Sequence, residues 1–147
     1  MKLLRDFCLD VAARPWLVDD LDLWIRCIET SPLHNCAAIF VDNCGADLVL
    51  GIIPFARELL KRGTRVLLCS NSEPALNDVT HTELLGVLSR ASSICPILEK
   101  ALADKRLVPV PTAQSGPCLD FRLVEFFIFF ILLISDICKH KMYKDKG

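Results

Sequence analysis

Two short apolar runs, each breaking off abruptly into polar residues, constrain this chain more than any other feature. Ala37-Ala38-Ile39-Phe40-Val41 ends in Asp42-Asn43-Cys44-Gly45, and Arg65-Val66-Leu67-Leu68-Cys69 ends in Ser70-Asn71-Ser72. Neither run alternates apolar with polar residues, as a strand with one wet face would. Short continuous runs bounded by turn formers fit strands buried on both faces, the situation in parallel sheets. Between them, from Ala46 to Arg62, Ile52, Ile53, Ala56, Leu59 and Leu60 recur at helical spacing and Gly63 supplies a stop. Pro54 inside that stretch must either kink one helix or begin a second.

Further helices are expected from about Thr82 to Ala91 and after Pro96 through Leu98 to Leu102. Leu107-Val108-Pro109-Val110 reads as a third strand, at an edge because proline cannot donate to a ladder. Upstream, Leu3 to Val11 and Val18 to Ile28 carry two helical stripes separated at Arg14-Pro15. The expected class is α/β: a parallel three-layer sheet over residues 36–120, an N-terminal helical segment over 1–35, and an atypical apolar and basic segment over 121–147. Within that last segment residues 126–134 are all apolar, followed by lysines. A membrane-spanning helix needs about 20 such residues. The run falls short, so no membrane partner is expected.

At 147 residues and 52% hydrophobic, the chain has enough apolar surface for one packed domain. A net charge of −1 gives no basic excess to hold a phosphodiester backbone, which argues against nucleic acid as a partner. The 8 cysteines include no C-x-x-C pair, and the opening Met1-Lys2-Leu3-Leu4-Arg5-Asp6 has no apolar leader. Reduced thiols in a cytoplasmic protein are the expectation.

In an open parallel sheet, ligands bind beyond the carboxyl ends of the strands. Asp42 and Asn43 lie there after the first strand, Asn71 after the second, and Asn77 and Asp78 in the loop that follows. Carboxylate and amide oxygens suit hard divalent cations such as Mg²⁺ or Mn²⁺, with open positions left for a phosphate oxygen and a water. The helix after Gly45 would add backbone N–H groups suited to an anion. The same residues also serve as turn formers and caps, and Asp78 could simply cap the next helix. Cys44 at a presumed helix start lacks an evident base partner, and His81 reads as a solvent-facing first-turn residue.

The strings Ile39-Phe40-Val41-Asp42-Asn43-Cys44-Gly45-Ala46-Asp47, Pro54-Phe55-Ala56-Arg57-Glu58-Leu59-Leu60 and Pro74-Ala75-Leu76-Asn77-Asp78-Val79-Thr80 resemble the metal-dependent damage-control phosphatases. Arg14-Pro15-Trp16-Leu17-Val18-Asp19 and Ser115-Gly116-Pro117-Cys118-Leu119-Asp120 are similar to one branch of them, the C-terminal domain of type-four pantothenate kinase. The resemblance implies hydrolysis of small phosphate monoesters, 4′-phosphopantetheine or its damaged forms among them. It implies a Mn, Mg, Co or Ni cation on Asp42, Asn43 and Asp78, with Asp42 and Asp78 catalytic and Asn71 and Asn77 at the substrate. Family members usually carry serine where Cys44 stands. Similarity fades near Asp120, before a Glu-Gly-Met-Gly-Arg-like motif and a late lysine, so a truncated domain with impaired hydrolysis is expected. The alternative is a non-catalytic interaction or membrane-tethered fragment.

Overall fold

β2 (Arg65–Ser70) is the centre of the sheet, and five of its six residues are buried. The computed structural model describes residues 17–30, 34–116 and 120. β1 (Cys36–Phe40) lies on one side of β2 and β3 (Leu107–Pro111) on the other, in the order β1-β2-β3. All pairing is parallel, with Ala37 opposite Val66, and Val66 in turn opposite Leu107. The chain divides into two compact units, Met1–Leu33 and His34–Gly147. In the first unit, α1 (Leu21–Thr30) forms where the second helical stripe was expected. The earlier expected helix and the apolar run 126–134 lie outside the described residues.

Central position explains why only β2 fulfils the expectation of burial on both faces. β1 is half-buried and its Ala38 is exposed, because among the described residues it has a neighbour on one side only. Pro109 and Pro111 sit in β3, at the other edge, where a missing N–H does least damage. A strand order that advances steadily in one direction, with right-handed crossovers, places all crossover helices on one face. That face holds the main core. Val66, Leu68 and Leu107 from the sheet meet Ile53, Ala56 and Leu60 of α2 (Ile53–Lys61), Leu84 and Leu88 of α3 (His81–Ile94), and Leu98 and Ala101 of α4 (Pro96–Ala103). On the opposite face Leu67, Cys69 and Val110 form a second buried cluster with Cys36, Phe40 and Val108. Buried positions therefore lie on both faces of β2.

Pro54 lies inside one continuous helical run and begins no second helix. Residues Asp47–Ile52 take the π form and α2 follows directly, with Ala46, Ile52 and Ile53 all in the helical basin; the proline falls at the change from π to α spacing. The Ile53 N–H reaches back to the Leu48 carbonyl, the wider spacing of a π turn. At the far end Gly63, at φ +93, closes α2: its N–H donates to Leu60 O at 3.1 Å and the Thr64 N–H to Leu59 O at 3.1 Å. A side chain with a Cβ would resist that left-handed turn.

α3 starts one residue earlier than expected, at a cap the sequence reading overlooked. Thr80, not Asp78, is the N-cap. The Glu83 N–H donates to Thr80 Oγ1 at 3.3 Å, and the Thr80 N–H donates to Glu83 Oε2 at 2.9 Å. This is a reciprocal capping box. The Thr80 backbone and hydroxyl hold the Glu83 carboxyl below its ordinary value of 4.5. Burial pushes the Cys69 thiol up to about 11, with Cys36 adding to the effect. Cys44, Cys69 and Cys95 take part in no disulfide.

Three measurements check these points. Thr80→Ala should lower unfolding stability by about 1 kcal/mol in urea titrations. Because the Glu83 pKa is lowered in the folded state, its contribution is present above about 4.5 and lost as pH falls through the folded value, so the gap between wild type and Glu83→Gln should close on acidification. In alkylation at pH 8 followed by peptide mapping, the exposed Cys44 should label well before the buried Cys69.

Candidate functional site

The ends of β1 and β2 are stitched together by one segment, Asn77 to His81. Val41 still pairs with β2, its N–H donating to Cys69 O at 2.8 Å. The chain then turns to a new partner. The Val79 N–H donates to Asp42 O at 2.6 Å, the Cys44 N–H donates to Asn77 O at 3.0 Å, and Asn43 and Asp78 form an antiparallel bridge. Two residues further on, Thr80 bridges Asn71 and the His81 N–H donates to Asn71 O at 2.7 Å. Residues 77–81 thus clip the two strand ends, with Val79 fully buried between the polar positions. Gly45, at φ +73, turns the chain into the helix behind.

This clip brings together the five residues singled out from sequence. Asn43 Oδ1 accepts the Asn77 Nδ2 amide at 2.6 Å, and Asn43 Nδ2 donates to Asp47 Oδ2 at 3.0 Å. The Asn43 N–H donates to Asp42 Oδ1 at 2.6 Å. Asn71 Nδ2 donates to Asp78 Oδ2 at 3.0 Å and to Gly116 O at 3.5 Å. Asp42 and Asn77 are exposed, Asn43 and Asp78 half-buried, and Asn71 buried. The carboxylates therefore stand at an open rim, oriented from behind by amides.

The charge balance of the rim is anionic. Asp42 and Asp78 form no ion pair with a lysine or arginine among the described residues; the described ion pairs are Arg57–Glu58 at 2.8 Å and Lys61–Glu58 at 2.9 Å, on an exposed face of α2. Each of the two carboxylates has one oxygen engaged by an N–H donor, which leaves the other for a ligand. No three histidines, cysteines, aspartates or glutamates converge among the described residues. A cation here would rest on two carboxylates and amide oxygens, a donor set that fits a hard divalent ion.

Several neighbours were not found from sequence. Asp47 joins through Asn43; its place four residues on, in the first helical turn, was the available signal. His81 is half-buried, with Nδ1 3.4 Å from Ser70 Oγ, instead of facing solvent. The Ser72 N–H donates to Gln114 O at 3.0 Å, and Gln114 brackets Asp120 through its side-chain amide, with bonds of 2.7 and 3.2 Å. These contacts carry the segment after β3 to the edge of the rim, and no local pattern in the sequence announces them. Thr112, also there, is buried with its hydroxyl lacking a hydrogen-bond partner.

A family model described as damage-control phosphatase ARMT1-like domain matches residues 2–136. The match takes in stretches before Arg14 and after Asp120 that the sequence motifs did not reach. The chain is 52% identical to a 4′-phosphopantetheine phosphatase of Mus musculus over 75% of its length. It is 42% identical to pantothenate kinase 2 of Oryza sativa subsp. japonica over 76%, and 50% identical to a damage-control phosphatase of Arabidopsis thaliana over 56%. It spans 13%, 15% and 22% of those relatives' own lengths, respectively. Among the described residues no helix is long and apolar enough to cross a membrane.

Asn77→Ala should loosen the clip by leaving Asn43 Oδ1 without its donor. The expected loss is about 1 kcal/mol of stability, with faster amide exchange at Cys44 and Val79 measured by NMR.

Proposed function

The chain belongs to the ARMT1-like damage-control phosphatase family, and on that premise we propose that its rim binds a divalent cation and hydrolyses small phosphate monoesters. The relative named for 4′-phosphopantetheine makes that compound, or its damaged forms, the first substrate to test. The observation that supports the reading is the backbone pairing of residues 42–44 with 77–79, which brings the chain at Asp42 and Asn43 alongside Asp78.

Asp42, Asn43 and Asp78 are the proposed cation ligands, through two carboxylates and an amide oxygen. When bound, a Mg, Mn, Co or Ni ion would neutralise phosphate charge and make a water nucleophilic near neutral pH. The chain's own contribution is orientation. Asn71 holds the Asp78 carboxylate through its side-chain amide, and the role proposed for Asn77, exposed and tied to Asn43, is contact with a substrate oxygen. Such preorganisation of charged groups is what phosphoryl transfer mainly requires. A cytoplasmic setting fits the unbridged thiols of Cys44, Cys69 and Cys95.

Phosphate release from 4′-phosphopantetheine by the full chain is the direct assay. Hydrolysis should need added Mn²⁺ or Mg²⁺, stop with chelator, and fall by about a hundredfold or more in Asp42→Ala and in Asp78→Ala. Turnover indifferent to chelation, or unaltered in both variants, would overturn the assignment.

A further inference from the structure

Leu76 sits in a tight turn beside the rim, in a conformation that suits glycine better. Its φ is +50, and the Asp78 N–H donates to Ala75 O at 2.9 Å, closing a four-residue turn. A positive φ at the first central position is the usual place of glycine. Leucine there is strained, since its Cβ crowds the backbone. Burial does not compensate, because Leu76 is 89% exposed while Ala75 and Val79 on either side are buried.

The other non-glycine residues at positive φ have a structural reason. Lys105 closes α4 as Gly63 closes α2, with its N–H on Leu102 O at 3.2 Å and that of Arg106 on Ala101 O at 2.8 Å. Ala113 is fixed by its N–H on Ser72 Oγ at 2.9 Å. The turn at Leu76 cannot relax either: Asn77 is held to Cys44 and Asn43, and Asp78 to Asn71. The free chain thus presents a rigid, strained, solvent-standing leucine next to two of its site residues. Backbone strain of this kind concentrates where ligands are gripped.

We propose that Leu76 is a specificity residue that packs on the alcohol portion of the substrate and selects phosphate monoesters with a branched apolar carbon next to the ester carbon. The assignment rests on the phosphatase reading above. Its geometry follows from chain length alone: the Cα atoms of residues 76 and 78 are at most about 7 Å apart. A phosphate group on a cation bound by Asp78 would leave its ester carbon and the next carbon within reach of the leucine side chain. The dimethyl carbon of 4′-phosphopantetheine has this placement.

The test uses the full chain with Mn²⁺ and two non-hydrolysable probes, 3,3-dimethylbutyl phosphonate and ethyl phosphonate, titrated by calorimetry. Wild type should bind the branched probe more tightly by about fivefold or more. Leu76→Gly, which relieves the backbone, should remove that preference, leave ethyl phosphonate affinity unchanged and keep or raise Tm. Leu76→Met should retain the preference. A preference that survives in Leu76→Gly, no preference in wild type, or equal weakening of both probes overturns the assignment alone. Wild type binding neither probe overturns the phosphatase reading, and this assignment with it.

Discussion

The hydrogen bond from the Val79 N–H to the Asp42 carbonyl is the contact on which the site depends. Asp42 and Asp78 are separated by a helix, a strand and a loop, so nothing local holds them together. The bond acts with the one from the Cys44 N–H to Asn77 O, and together they extend β1 by a short antiparallel ladder. Backbone pairing of this kind fixes register, and register decides which side chains share a face. That register sets Asn43 opposite Asp78 and brings the two loops side by side.

The ladder is supported from below by ordinary folding forces. Val79 is completely buried in the main core, which anchors the middle of the clip by apolar packing. The Thr80–Glu83 capping box starts α3 immediately afterwards, so the clip cannot slide along the strand ends. The polar part is then completed by amides: Asn43, Asn71 and Asn77 each donate to an oxygen of the rim. Core, cap and amide network all favour one arrangement of these two loops.

Much of this was legible in the sequence, for identifiable reasons. The two unalternating apolar runs pointed to strands of a parallel sheet, and the proline-bearing third run to an edge. The polar residues at the strand ends pointed to the rim because parallel sheets bind ligands there. What failed was what depends on distance. The cap was assigned a possible home at Asp78, although Thr80 and Glu83 carry the S/T-x-x-E spacing three residues apart. Burial of β1 on both faces was expected from its composition, yet edge position in the sheet overrides composition. The approach of Gln114 and Gly116 to Asn71 and Ser72 joins residues more than forty positions apart, and single-sequence periodicity is blind to such pairs. Leu76 was read only as part of a motif; its strain is a backbone property that no residue count contains.

The proposed function rests on a cation edge shared by two distant loops. Anomalous diffraction at the manganese edge, from crystals of the full chain soaked in Mn²⁺, addresses it without reference to turnover. One strong peak within coordination distance of carboxylate oxygens from both Asp42 and Asp78 is the predicted result. Manganese bound elsewhere, or held by one of these aspartates with the other turned away, would contradict it.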